Sequence, residues 1–128
     1  MSHPSKIDFF AEAAASGFDT ILYFVSTSDP DLNVLRVAQR VAMGGHDVPA
    51  DRIVSRYHRA MTALPAALKV ASRAFLFDNS GPEGLVLGAF KGDFEDTGMF
   101  GRGIRVHQDA PQWVRDAVAA AAAPAEGE

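Results

Sequence analysis

Thr20-Ile21-Leu22-Tyr23-Phe24-Val25 is an uncharged run rich in β-branched and aromatic residues, with no polar alternation. It is short for a buried helix and predicts a strand covered on both faces, as in a parallel sheet flanked by helices. The residues on either side agree. Upstream, Ser5 caps a helix over residues 6–15, with Asp8 at the capping-box spacing and Gly17 as the stop. Downstream, Ser26-Thr27-Ser28-Asp29-Pro30 is a polar turn in which Asp29 is the N-cap and Pro30 the first helical residue.

That second helix covers residues 30–43, with Leu32, Leu35, Ala38 and Ala42 or Val41 facing inward, and Gly44-Gly45 ends it. Pro49 opens a third helix over residues 50–63, whose Ile53, Tyr57, Ala60 and Leu64 are spaced for burial. Pro65 starts a separate short helix over residues 65–72. Ala74-Phe75-Leu76-Phe77 reads as a second buried strand, closed by the turn signal Asp78-Asn79-Ser80-Gly81-Pro82. Residues 85–90 form a third strand, antiparallel because its connection is short. Residues 91–108 read as loop or irregular strand, residues 110–118 as a terminal helix, and residues 119–128 as an Ala-rich flexible tail. The resulting order predicts an α/β layered domain over residues 1–118, with a small, mostly parallel sheet flanked by helices. Two or three strands are few beside the roughly five of an ordinary sheet.

The 128 residues suit one domain, and a 48% hydrophobic content with 22% charged residues excludes a disordered chain. Without cysteine there is neither a disulfide frame nor a thiolate metal site. No apolar run approaches the roughly 20 residues of a membrane span, and the N-terminus lacks a secretory apolar stretch. A net charge of −4 announces no nucleic-acid or membrane-surface partner. The expectation is a soluble, cytoplasmic unit.

Charge is unevenly spread. Five of the nine arginines (Arg36, Arg40, Arg52, Arg56 and Arg59) fall in one window whose acids are Asp47 and Asp51, so it carries +3 against −7 elsewhere. Arg36 and Arg40 stand four apart on one helix, and Arg52, Arg56 and Arg59 stand at i, i+4 and i+7 on the next. Aligned like charges repel unless an anion or carboxylate pairs with them. Guanidinium grips phosphate bidentately. The stripe is therefore either a solvated polar face or a phosphate-clamping lid hinged on Gly44-Gly45, with His46 in its loop. His3, His46, His58 and His107 show no metal-ligand spacing. Ser2, Ser5 and Lys6 form no nucleophile motif and read as helix-capping residues. Asp78-Asn79-Ser80 reads as an Asx turn, or as a ligand site beyond the carboxyl end of a strand. No GxxxxGK[ST] loop is present, and Gly101-Arg102-Gly103 is no dinucleotide fingerprint.

Several of these segments resemble one family. They are Ser2-His3-Pro4-Ser5-Lys6, Tyr23-Phe24-Val25, the stretch from Arg36 through Gly44-Gly45-His46-Asp47-Val48-Pro49, Ile53-Val54-Ser55-Arg56-Tyr57-His58-Arg59, and Phe77-Asp78-Asn79-Ser80. In collinear order over residues 1–81 they are similar to the zeta-toxin-like P-loop kinases, also described as predicted ABC-type ATPases. The resemblance implies a P-loop NTPase-like fold and ATP- and Mg²⁺-dependent phosphotransfer, in the best-known type to UDP-N-acetylglucosamine. It implies a lid whose arginines approach phosphates, here Arg40 with Arg56 or Arg59, and places Asn79 near the nucleotide base. Arg36, Arg52 and His46 are secondary members of that site. In the family the phosphate loop, the general base and a substrate-binding glutamate precede the SHPSK segment, so these residues resemble the C-terminal half of such a kinase. A partner chain carrying the N-terminal half, or a second copy, would then complete the sheet, and the ligand is a phosphate-bearing small molecule. Because phosphoryl transfer depends on that loop, the purified chain alone is expected to show no ATP hydrolysis. A coupled phosphate-release assay checks this, and turnover that survives rigorous purification would overturn it.

Overall fold

The computed structural model describes residues 9, 11–13, 15–92 and 103–122. The proposed Ser5 cap, the Ser2, Ser5 and Lys6 group, Gly101-Arg102 and residues 123–128 lie outside them. Phe9, Ala11–Ala13 and Ala15 are helical, and Gly17, at φ +88°, closes this stretch as expected. The Phe18 N–H reaches back to the Ala13 carbonyl at 3.0 Å, the wrap that a left-handed C-terminal residue permits.

Four strands form one sheet in the order β1-β2-β3-β4: β1 (Ile21–Ser26), β2 (Arg73–Asp78), β3 (Val86–Lys91) and β4 (Ile104–Val106). β1 and β2 are parallel, from Ile21↔Arg73 to Ser26↔Asp78. β2/β3 and β3/β4 are antiparallel, and the β2/β3 register shifts between Leu76 and Phe77. The sheet is therefore mixed, not mostly parallel. The cause is connectivity: the β1–β2 connection holds two helices, whereas residues 79–85 turn the chain directly back from β2 to β3.

Helix α1 (Pro30–Ala42) begins as its sequence signals: Asp29 is the N-cap, its side chain accepting from the Asp31 N–H at 2.9 Å, and Pro30 follows. Helix α2 (Ala50–Val70) runs unbroken through Pro65, where two separate helices were expected. An interior proline costs about 3 kcal/mol. Against this, Leu64, Ala67 and Leu68 are all buried immediately around it, and their packing holds the last turns in line with the first. The Lys91 ammonium closes the end of α2 by donating to the Leu68 and Ala71 carbonyls, both at 2.6 Å. Helix α3 (Gln112–Ala122) extends four residues into the expected tail, because Ala121 is still buried.

The core lies on one face of the sheet. Leu22, Phe24, Ala74, Leu76, Ala89 and Ile104 meet Leu64 and Leu68 of α2 and Trp113, Val114 and Val118 of α3. The opposite face differs from expectation. Tyr23 and Val25 are 66% and 49% exposed, so β1 is covered on one face only. Tyr23 stacks on Phe75 (5.0 Å between centroids, 7° between planes), and Phe75 meets Phe90 at 4.8 Å. This aromatic row explains the missing polar alternation: apolar residues on the open face shield one another across strands. Among the described residues no strand pairs with the outer edge of β1. No described helix is long and apolar enough to cross a membrane.

Gly88 marks the tightest approach between sheet and helix. A Cβ there would lie 2.9 Å from Cγ2 of Val114, which is fully buried. Gly88→Ala is expected to destabilise the fold by about 1–3 kcal/mol through overpacking. Urea unfolding measures this, and an unchanged midpoint would contradict the packing described.

Candidate functional site

Helices α1 and α2 form a hairpin that reaches past the carboxyl end of β1. Its turn depends on both glycines: Gly44 sits at φ +98°, and a Cβ on Gly45 would approach the Arg40 carbonyl to 2.9 Å. That carbonyl accepts the Gly45 N–H at 2.7 Å and the Met43 N–H at 3.1 Å, which ends α1 abruptly.

Between this hairpin and β1 lies a cavity of about 600 Å³. The end of β1 forms its floor. One wall is Asn33, Arg36, Val37 and Arg40 of α1, spaced i, i+3, i+4, i+7. The facing wall is Ile53, Arg56, Tyr57 and Ala60 of α2, with the same spacing, and Asn79 closes the end beyond β2. The cavity thus brings together Arg36, Arg40, Arg56 and Asn79. Arg52, Arg59 and His46 do not line it. At 100° per residue, Arg56 sits at the margin of the inward face of α2, and Arg52 and Arg59 lie roughly 40–60° further round.

The three guanidinium groups are held differently. Arg36 donates to the carbonyls of Asn79 and Ser80, tying α1 to the turn after β2. Arg40 makes a long contact, 3.4 Å, from Nε to the Arg36 carbonyl. Arg56 makes no hydrogen bond or ion pair among the described residues, and none of the five arginines of the window has a carboxylate partner there. Among the described residues no carboxylate lines the cavity, so its arginines face it without a compensating acid there. The same fact bears on cofactors. These side chains suit phosphate oxygens, but among the described residues they include no carboxylate for Mg²⁺, and no group of three His, Asp or Glu among the described residues could hold a metal.

A hydrogen-bond frame positions the floor. The Tyr57 hydroxyl donates to the Thr27 carbonyl at 2.8 Å, and the Thr27 hydroxyl donates to Asn33 Oδ1 at 2.7 Å. The Asn79 N–H bonds the Ser26 carbonyl at 2.8 Å, so the turn continues the β1/β2 pairing into the site. Asp78 accepts from the Ser80 hydroxyl and from Trp113 Nε1, both at 2.8 Å, which makes the expected Asx turn a structural anchor. Asn33, Thr27 and Tyr57 were not among the expected site residues. The spacing of Tyr57 points to the core, and extending the Arg36–Arg40 row back one turn reaches Asn33.

Comparison of this chain with protein-family models, with curated proteins and with solved structures returned no match.

Burial raises the Tyr57 phenol above its ordinary pKa of 10.0, and the negative charges of Asp29 and Asp78 add to the effect. Folding therefore favours the neutral phenol. This contribution is complete below pH 10 and is lost as pH rises through the folded-state value. Phenolate absorbance of a Tyr23→Phe variant, in which Tyr57 is the remaining tyrosine, is expected to titrate above pH 10. Tyr57→Phe is expected to cost about 1 kcal/mol through the lost bond to Thr27, and to remove that part of the alkaline sensitivity. Titration of Tyr57 below pH 10 would contradict the buried setting.

Proposed function

We propose that this chain supplies the arginine-bearing, phosphate-binding side of a zeta-toxin-like ATP-dependent phosphotransferase. The observation that carries this reading is the convergence of Arg36, Arg40, Arg56 and Asn79 on one cavity with no carboxylate in its wall. The position supports it as well, since ligands of open α/β sheets bind beyond the carboxyl ends of parallel strands. In this reading Arg40 and Arg56 grip the phosphate oxygens of a nucleotide. Arg36 holds the Asn79 turn in register and adds its charge, and Asn79 faces the base. In this reading the phosphate loop, the general base and the Mg²⁺ ligands lie outside residues 1–128, in the N-terminal part of such a kinase, and the P-loop-type layering belongs to the completed sheet.

Each charge-assisted contact contributes about 1.5–3 kcal/mol when shielded and much less in open solvent. Binding of inorganic phosphate, sulfate or ATP to this one-sided site is accordingly expected in the high-micromolar to millimolar range, and weaker with added salt. Arg40→Ala with Arg56→Ala is expected to abolish anion-induced thermal stabilisation. Arg52→Ala with Arg59→Ala is expected to keep most of it, because those side chains lie off the wall. Equal losses in the two double variants would reduce the arginines to a general surface charge.

A second reading, a non-catalytic oligomerisation or anion-binding module, is favoured by the outer edge of β1. It is six residues long, carries no charge or proline, and exposes Ile21, Tyr23 and Val25. Such an edge is a template for pairing. A dimer, or a complex with the chain that carries the N-terminal half, is expected to cover it. Light scattering that finds a clean monomer at tens of micromolar would exclude self-pairing and leave the partner chain.

A further inference from the structure

A second cavity, of about 330 Å³, lies between α2 and α3, and its chemistry is the reverse of the first. Its walls are Tyr57, Met61 and Pro65 on one side and Trp113, Asp116 and Ala117 on the other. Every side-chain donor in these walls is already committed. The Tyr57 hydroxyl donates to the Thr27 carbonyl and Trp113 Nε1 to Asp78, both pointing toward the sheet. The two rings therefore offer the cavity carbon edges and π surface only. What remains is acceptors. Gln112 Nε2 donates to Asp116 Oδ1 at 2.8 Å, and among the described residues Asp116 has no hydrogen bond on Oδ2 and no ion pair. Pro65 has no N–H, so the Met61 carbonyl lacks the donor that any other residue at position 65 would supply.

We propose that this cavity binds a primary ammonium group on a short aliphatic stem. The stem lies against Met61, Pro65 and Ala117, and the ammonium reaches Asp116 and the Met61 carbonyl beside the aromatic rings, which attract cations. A neutral apolar ligand leaves the acceptors without partners, and an anion meets a carboxylate with no compensating cation in the walls. The inference does not depend on the phosphate-binding reading, since the two cavities share only Tyr57 and attract opposite charges.

Trp113 is the single tryptophan of the chain, so its fluorescence reports on this cavity directly. Titration with n-butylammonium chloride is expected to change that signal saturably in the millimolar range, at constant ionic strength. n-Butanol, of similar shape but uncharged, is expected to bind at least tenfold more weakly, and Asp116→Asn to weaken the ammonium at least tenfold. Asp116 is exposed, so this variant leaves the core untouched. A capped Gly-Lys-Gly peptide distinguishes the source: tighter binding than butylammonium assigns a lysine side chain of a partner, and weaker binding a free amine. An absent response, equal responses to amine and alcohol, or unchanged affinity in Asp116→Asn would each overturn the proposal.

Discussion

Asp78 ends β2, and its carboxylate accepts from Trp113 Nε1 on α3 and from both the hydroxyl and the N–H of Ser80. The turn at the carboxyl end of the parallel pair is built around this group. Ser80 Oγ in turn accepts the Ser28 N–H at 2.8 Å, which fixes the chain as it leaves β1 toward α1. The Asn79 and Ser80 carbonyls, turned outward by the same bend, receive Arg36 from the side. One carboxylate thus links sheet, α3 and α1 through charge-assisted bonds, each stronger than a neutral bond. Without it, Trp113 would lose the partner of its N–H beside the core. The turn that seats Arg36 would also lose two of its constraints at once.

The arginine cavity needs this anchoring because little else holds α1. None of its residues is fully buried, so the helix keeps its place through contacts with α2, the Thr27–Asn33 bond and Arg36. The amino-terminal part of α2 is similarly light, since its buried residues begin at Leu64. The hairpin is therefore rooted at one end and weakly stabilised at the other, where three guanidinium groups on two facing walls line one cavity with no acid among the described residues. In the proposed reading, an anion between the two walls offsets the mutual repulsion of these groups.

Local signals in the sequence were legible where backbone chemistry decided the outcome. Gly17, the Asp29-Pro30 start of α1 and the Gly44-Gly45 stop all act through φ, caps or missing donors, and each stands where these rules put it. Tertiary balance was less legible. Pro65 signalled a break, but burial on both sides of it outweighed one lost hydrogen bond. The Tyr23-Phe24-Val25 run signalled cover on two faces, and its hydrophobicity alone could not show that one face pairs laterally with Phe75. In the candidate site, charge drew attention to five arginines, whereas the walls are helical stripes in which polar and apolar residues alternate. Arg36, Arg40 and Arg56 satisfy both criteria. Arg52 and Arg59 satisfy only the first, and Asn33 and Tyr57 only the second.

Tyr57 occupies the one position that belongs to both cavities. Its hydroxyl is fixed on the Thr27 carbonyl, so the ring cannot swing toward either side without breaking a bond that also supports the floor beneath Arg36 and Arg56. The edge-on contact with His58, 5.4 Å between centroids, further limits its rotation. The remainder of α2 is anchored by Leu64, Leu68 and the Lys91 cap, so Tyr57 stands where the buried part of the helix gives way to the lightly packed hairpin.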